Sequence, residues 1–259
     1  MTYFYTYVQL TPARLSGRYE GLAMPVAIMA GRGDKIVDIG SRSMASNVII
    51  VMPNSPIKTM ADLKGKKFGI SNPKSLGEMT AVLAAENAGM NPNDIQRVAL
   101  GNLSGALTAL ENNVVEATSI PGILFLARGG ESKYRVIVGP KDLPLLPPAV
   151  GIATGDLIKK NPQKLRAILA GRREAVKFLY SHTAEASKIL EPIYAPLPPN
   201  DVDTLMQMLV DAKFYSEGQI EMPLLVNTVR AMKYVGMIDK DPDLSKMIDA
   251  SFLPSDLQK

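Results

Sequence analysis

The run Ser71-Asn-Pro-Lys-Ser75, followed by Leu76, Gly77 and Glu78, is where the residue types of this 259-residue chain could do chemistry. Two serine hydroxyls, an amide and a lysine stand between the apolar stretch 68–70 and an apolar run of helical spacing. Ser75 and Glu78 form the S-x-x-E pattern of a capping box, in which each side chain satisfies an unpaired backbone N–H at a helix start. Converging N–H groups, the positive end of the helix dipole and Lys74 beside them make a ready site for an anion. An ordinary strand-loop-helix connection with a good cap is spelled the same way. On pattern alone that plainer reading is favoured.

Other chemistries are poorly supplied. The absence of cysteine excludes a disulfide framework, a thiolate metal site and a cysteine nucleophile. The single histidine, His182, falls at an expected helix end, where it serves the helix dipole more often than catalysis. No Ser/His/Asp grouping, metal-ligand spacing or G-x-G-x-x-G run is present, so neither metal nor cofactor is expected. Net charge is +4, with Lys and Arg spread along the chain, which gives no basic face for nucleic acid. No stretch approaches the roughly 20 apolar residues of a membrane-spanning helix, so direct membrane insertion is not expected. Residues 1–10 lack the charged start, apolar core and small-residue cleavage site of a signal peptide.

The elements that must position the loop are read from periodicity. Residues 48–51 and 68–70 are short β-branched or aromatic runs, hence buried strands. Thr80, Leu83, Ala84 and Ala88 repeat on one helical face that ends at Gly89, and Leu103, Ala106, Leu107 and Leu110 form another. Strands alternating with helices indicate an α/β fold with largely parallel sheets. After residue 155 the pattern is helical. Asn161-Pro162 opens a long helix with Leu165, Ile168, Leu169, Val176 and Leu179 inward, and helices near 184–194, 201–213 and 223–235 follow. This tail is expected on the first half of the fold. The halves also echo one another: residues 17–25 set above 113–121 match Glu20 to Glu116 and Pro25 to Pro121, and place Gly17 over Asn113, both tolerant of a left-handed helix end.

The run Ile57-Lys-Thr-Met-Ala-Asp-Leu-Lys-Gly-Lys-Lys-Phe-Gly-Ile-Ser71 resembles a hallmark of the solute-binding proteins of ABC importers, in the nitrate/sulfonate/taurine and thiamine-pyrimidine-synthesis-like group. The resemblance continues through Ala88-Gly-Met-Asn-Pro-Asn-Asp-Ile95, through Gly101 to Ala109-Leu110, and into the closing Gly236, Asp243 and Phe252-Leu253. It implies a two-lobed, type II periplasmic-binding-protein-like fold with a helical C-terminal tail. Residues 1–52 with 151–259 would form lobe I and residues 53–150 lobe II. The stretches 51–56 and 143–150, both rich in proline, would cross between lobes as hinges.

The same resemblance implies a small-molecule solute held in the interlobe cleft, an ABC permease as partner, a periplasmic or other extracytoplasmic setting, and no catalysis. Three loops would face the cleft at the carboxyl ends of strands. They carry Met24 and Pro25; Ser71, Asn72, Lys74, Ser75 and Gly77; and Ser119 and Pro121, with Thr118 beside them. Asn102 and Ser104 are expected as plain caps. The lack of Trp argues against a sugar-stacking site and for a small polar or anionic solute. In the family, the segment equivalent to Leu15-Ser-Gly-Arg-Tyr-Glu-Gly-Leu-Ala23 lies deep inside the first lobe, whereas here it begins at residue 15. The first strand-helix-strand unit is therefore expected to be missing, leaving an apolar sheet edge open to self-association or to completion by a second chain. Glu20 and Glu116 stand where the family usually carries Asp. Three alternatives remain: a truncated, non-binding remnant, a ligand-sensing protein of the same fold, and, less favoured, a pyrimidine-forming enzyme, which would need an active-site His and a cysteine-rich motif.

Overall fold

The segment 57–71 folds as its residue types dictate. Met60 and Leu63 point into the core from a short 3-10 turn, Met60–Leu63. The Asp62 carboxylate accepts the N–H groups of Lys58 and Thr59, each at 2.9 Å, and these bonds hold it below the ordinary carboxylate range. Gly65 takes φ +71°, and its N–H reaches Asp94 O at 2.7 Å. Only a residue without a Cβ enters that turn without strain. The chain then enters an apolar strand.

The computed structural model of the chain describes residues 35–41, 47–139, 141–143, 147, 150–153, 155–195 and 197–258. Their strands are β1 (Lys35–Ile39), β2 (Asn47–Val51), β3 (Lys67–Ile70), β4 (Gln96–Ala99), β5 (Ala117–Pro121), β6 (Arg135–Val138) and β7 (Val150–Ala153). A five-stranded sheet has the order β4-β3-β5-β2-β6, and β1 pairs with β7 in a second sheet. β3 runs parallel to β4 and β5, while β2 is antiparallel to β5 and β6, so β2 alone opposes its sheet. The chain passes from one sheet to the other between Ile39 and Asn47, and returns between Val138 and Val150.

That topology revises the reading of the stretch 51–56. It joins two strands of one sheet and crosses nothing; residues 47–51, expected with lobe I, are hydrogen-bonded into the sheet of residues 53–150. The stretch is also clamped. The Arg135 guanidinium donates to Pro53 O at 2.9 Å, Ser55 O at 2.6 Å and Ile57 O at 2.5 Å. Proline signals irregular backbone in a sequence, but a guanidinium contributed from far along the chain makes this one rigid.

Helices α1 (Leu76–Asn87), α2 (Leu103–Glu111) and α3 (Gly122–Ala127) flank the larger sheet. α2 starts at Asn102, whose Oδ1 accepts Gly105 N–H at 2.7 Å. It ends at Asn113 with φ +56°, where Val114 N–H reaches Ala109 O and Asn113 N–H reaches Leu110 O. This is a complete Schellman end, with Asn in the left-handed role its residue type allows. α1 departs from the one-faced reading: every residue from Glu78 to Ala85 is buried, whereas Ala88 is exposed.

The tail supplies the reason. It comprises α4 (Gly155–Lys160), α5 (Pro162–Ser181), α6 (Thr183–Tyr194), α7 (Pro199–Asp211) and α8 (Met222–Tyr234). α8 lies on the outer flank of α1, adding Leu224, Leu225, Ala231 and Met232 to its core, and Glu86 meets Arg230 at 3.1 Å and Tyr234 at 3.2 Å. α7 packs with Leu126 of α3. α5 behaves as expected, placing Leu165 and Leu169 against Val37 and Ala153 of the smaller sheet, where Leu157 and Ile158 of α4 join them. Even there Ile168 is 38% exposed, contrary to its inward assignment. The tail thus covers both sheets.

The smaller sheet buries a carboxylate. Asp38, at an irregularity in β1, is 2% exposed and accepts the Gly151 N–H of β7. Arg172 Nη1 lies 3.3 Å away, and Arg172 Nη2 donates to Gly40 O at 2.6 Å. Burial pushes the Asp38 carboxyl above its ordinary value, against the pull of Arg172 and of the Gly151 N–H.

Candidate functional site

At the carboxyl end of β3 the chain turns through residues 71–75 into α1. Ser75 is the N-cap: its Oγ accepts Glu78 N–H at 3.3 Å. The expected reciprocal bond is displaced by one residue. Ser75 N–H donates to Asn72 O, while the Glu78 carboxylate reaches past Ser75 to accept Lys74 N–H at 2.5 Å. Lys74 makes this possible by adopting φ +65°. The other carboxylate oxygen meets Arg97 Nε of β4 at 3.0 Å, and Arg97 Nη1 is anchored on Pro92 O at 3.0 Å. Lys74 is exposed; Ser71, Asn72, Ser75 and Gly77 are half-buried.

Two further strand ends join this loop. Asn72 Nδ2 donates to Gly101 O at 3.1 Å, tying the exit of β3 to the exit of β4. Thr118 Oγ1 donates to Gly69 O at 2.8 Å, so it pins β5 to β3 and has no proton left to donate to a ligand. Ser119, the next residue, is 4% exposed and its Oγ has no hydrogen-bond partner. It shares a strand face with Ala117, which belongs to the α1 core. A Cβ built on Gly77 would lie 3.9 Å from Ser119 O, which measures how closely α1 approaches β5. Thr80, on the same helix, is 1% exposed, and its Oγ1 is also unpartnered. Pro121 ends β5 and is at once the N-cap residue of α3.

The structure therefore brings Ser71, Asn72, Lys74, Ser75, Gly77, Ser119 and Pro121 to one end of the larger sheet. Met24 and Pro25 lie outside the described residues. Sequence reading missed Thr80, Glu78 in its actual role, Arg97 and Asn47, which is 4% exposed and pairs opposite Pro121. The S-x-x-E spelling flagged Glu78 as a cap. Nothing local could flag Arg97 or Asn47, which arrive through strand pairing.

The arrangement offers the first-turn N–H groups of Leu76 and Gly77, which a helix cannot satisfy internally, together with serine hydroxyls. It suits a small polar or anionic group. His182 is remote in kind, capping α5 and stacked on Phe178 with ring centroids 5.0 Å apart. A concavity of about 780 Å³ lies elsewhere, between α8 and residues 241–245, and is lined by Met222, Val226, Lys233 and Asp243. It shares no element with the three strand ends.

Residues 23–186 match the family model described as NMT1/THI5 like. The chain belongs to the NMT1/THI5-like family. A candidate binding protein of Brucella abortus is 29% identical over 156 residues, covering 56% of this chain and 44% of that protein. The match thus spans less than half the length of this relative. The fold is that of periplasmic binding proteins. The periplasmic aliphatic sulphonate binding protein SsuA of Escherichia coli superposes with a TM-score of 0.69 at 24% identity, over 86% of this chain and 76% of that one. The desulfurization enzyme DSZB shares the fold, with a TM-score of 0.60 at 13% identity over 89% and 82% of the two chains. The shared fold thus occurs both in a binding protein and in an enzyme, so fold alone does not choose between the two.

Proposed function

We propose that this NMT1/THI5-like protein is the solute-binding component of an ABC importer, holding a small polar or anionic organic solute at the converging ends of β3, β4 and β5. The observation that carries the reading is a pair of buried hydroxyls without hydrogen-bond partners, Ser119 at the end of β5 and Thr80 on α1, together with a helix start whose first N–H groups find no acceptor inside the helix. A buried hydroxyl without a partner costs on the order of 1–3 kcal/mol, and a bound oxygen would relieve that cost. Solute would be enclosed between two lobes, one built on each sheet, and handed to a membrane permease outside the cytoplasm. No helix among the described residues is long and apolar enough to cross a membrane.

The binding reading is favoured over catalysis because the sequence has no cysteine, and its one histidine stands at the junction of α5 and α6. The test is a series of thermal melts with alkanesulfonates, nitrate and small carboxylates. A ligand that binds only the folded state at a hundredfold excess over Kd adds about 2.7 kcal/mol. One class should raise the melting temperature, and Ser75→Ala with Ser119→Ala should abolish the rise. A sharp transition that none of them shifts would refute the proposal.

A further inference from the structure

Glu78 has a consequence for which solutes the loop accepts. A helix N-terminus ordinarily presents bare N–H groups and partial positive charge to an incoming anion. Here a fixed carboxylate already occupies part of that place. One oxygen of Glu78 holds Lys74 N–H at 2.5 Å and the other holds Arg97 Nε at 3.0 Å, with the carboxylate side chain only 10% exposed. The group can neither swing into solvent nor leave without breaking both bonds. Arg97 is equally constrained by Pro92 O. The carboxylate therefore sits within the first turn of α1, on the residue that follows Leu76 and Gly77, as a fixed neighbour of any head group bound there. Exposed Lys74 contributes one mobile positive charge, screened by solvent.

We infer that the Glu78–Arg97 pair is a charge filter, which lets the loop accept a singly charged or neutral polar head group and reject a doubly charged one. Arg97 neutralises Glu78 well enough for the helix end to attract one negative charge. A second negative charge on the same head group meets the carboxylate at close range in a partly desolvated setting, where like charges repel strongly. Size and shape need not differ, since sulfonate and phosphate monoester are both tetrahedral oxyanions. Above neutral pH the phosphate carries close to two charges, because its second proton leaves near pH 6. Glu78 and Arg97 are in this view specificity-determining residues. The inference rests on the binding site proposed above.

The experiment is calorimetric titration of the full chain with ethanesulfonate and with ethyl phosphate, at about pH 8 and matched ionic strength. The wild type should bind the sulfonate at least tenfold more tightly. Glu78→Gln, which keeps an oxygen for Lys74 N–H, should shrink that ratio about tenfold by strengthening phosphate binding. Arg97→Gln, which leaves Glu78 unneutralised, should widen it. Equal affinity of the wild type for both probes overturns the filter, and so does a ratio that Glu78→Gln leaves unchanged while sulfonate still binds. In both of those cases the binding site itself stands. Binding of neither probe by the wild type overturns the filter and the anion-binding reading together.

Discussion

Each sheet fixes the chain leaving one of its strands with a half-buried guanidinium, and the two do so by different chemistry. Beyond β2, Arg135 grips three backbone carbonyls and, among the described residues, no acid. Beyond β1, Arg172 grips one carbonyl, Gly40 O, and the buried carboxylate of Asp38. Neutral carbonyls cannot change their charge, so the first clamp is indifferent to pH. A buried carboxylate can, and it must also be housed, so the second clamp is sensitive to pH and to sterics. The smaller sheet, at the root of both crossings between sheets, thus depends on a group in tension with its surroundings. The Arg135 clamp on the larger sheet, which carries the site, has no such dependence.

The sharpest way to break this contrast is Gly151→Ala. A Cβ there would lie 1.8 Å from Asp38 Oδ1, so the carboxylate must leave Arg172. Disrupting a buried pair in this way costs about 3–5 kcal/mol. Urea unfolding should show that loss, and one below about 1 kcal/mol would mean the smaller sheet is not tied as described. Next in size is Arg135→Ala, which strips the donors from three carbonyls and should cost about 2–3 kcal/mol with little change in its pH dependence.

The smallest effect is the most discriminating. Asp38 holds its proton more tightly folded than unfolded, so its contribution to stability is complete below the ordinary value of 3.8 and fades as pH rises through the raised one. The stability of the wild type relative to Asp38→Asn should therefore fall as pH climbs from below 4. Carboxyls held low, such as those of Asp62 and Glu111, work in the opposite sense but are common to both proteins and cancel. A difference that is flat or rises with pH would place Asp38 in an environment unlike the one described.

Local rules made much of this legible. The strand at Lys67–Ile70, the Ser75 cap, the left-handed Asn113 and the start of α5 at Asn161-Pro162 follow from side chains within a few residues of one another. What stayed hidden depends on residues distant in sequence. Arg135 reaches back about 80 positions to its carbonyls, Arg97 reaches Glu78 from a neighbouring strand, and β2 joins a sheet that its own five residues could not name. The loop at residues 71–75 stood out as a helix cap, with an anion site there only as an expectation. That the Glu78 carboxylate would take the N–H of Lys74 rather than that of Ser75, and pair with Arg97, could not be read from the S-x-x-E spelling, because the first bond forms only when Lys74 turns left-handed.

The double burial of α1 has a last consequence, for how this sequence tolerates change. A helix with one dry side accepts polar residues every third or fourth position, and a scan of substitutions along it oscillates with the helical turn. From Met79 to Ala85 the sheet lies on one flank and α8 on the other. Tolerance there has no period to follow: a charge is barred at every position, and drift is confined to exchange among small and medium apolar side chains.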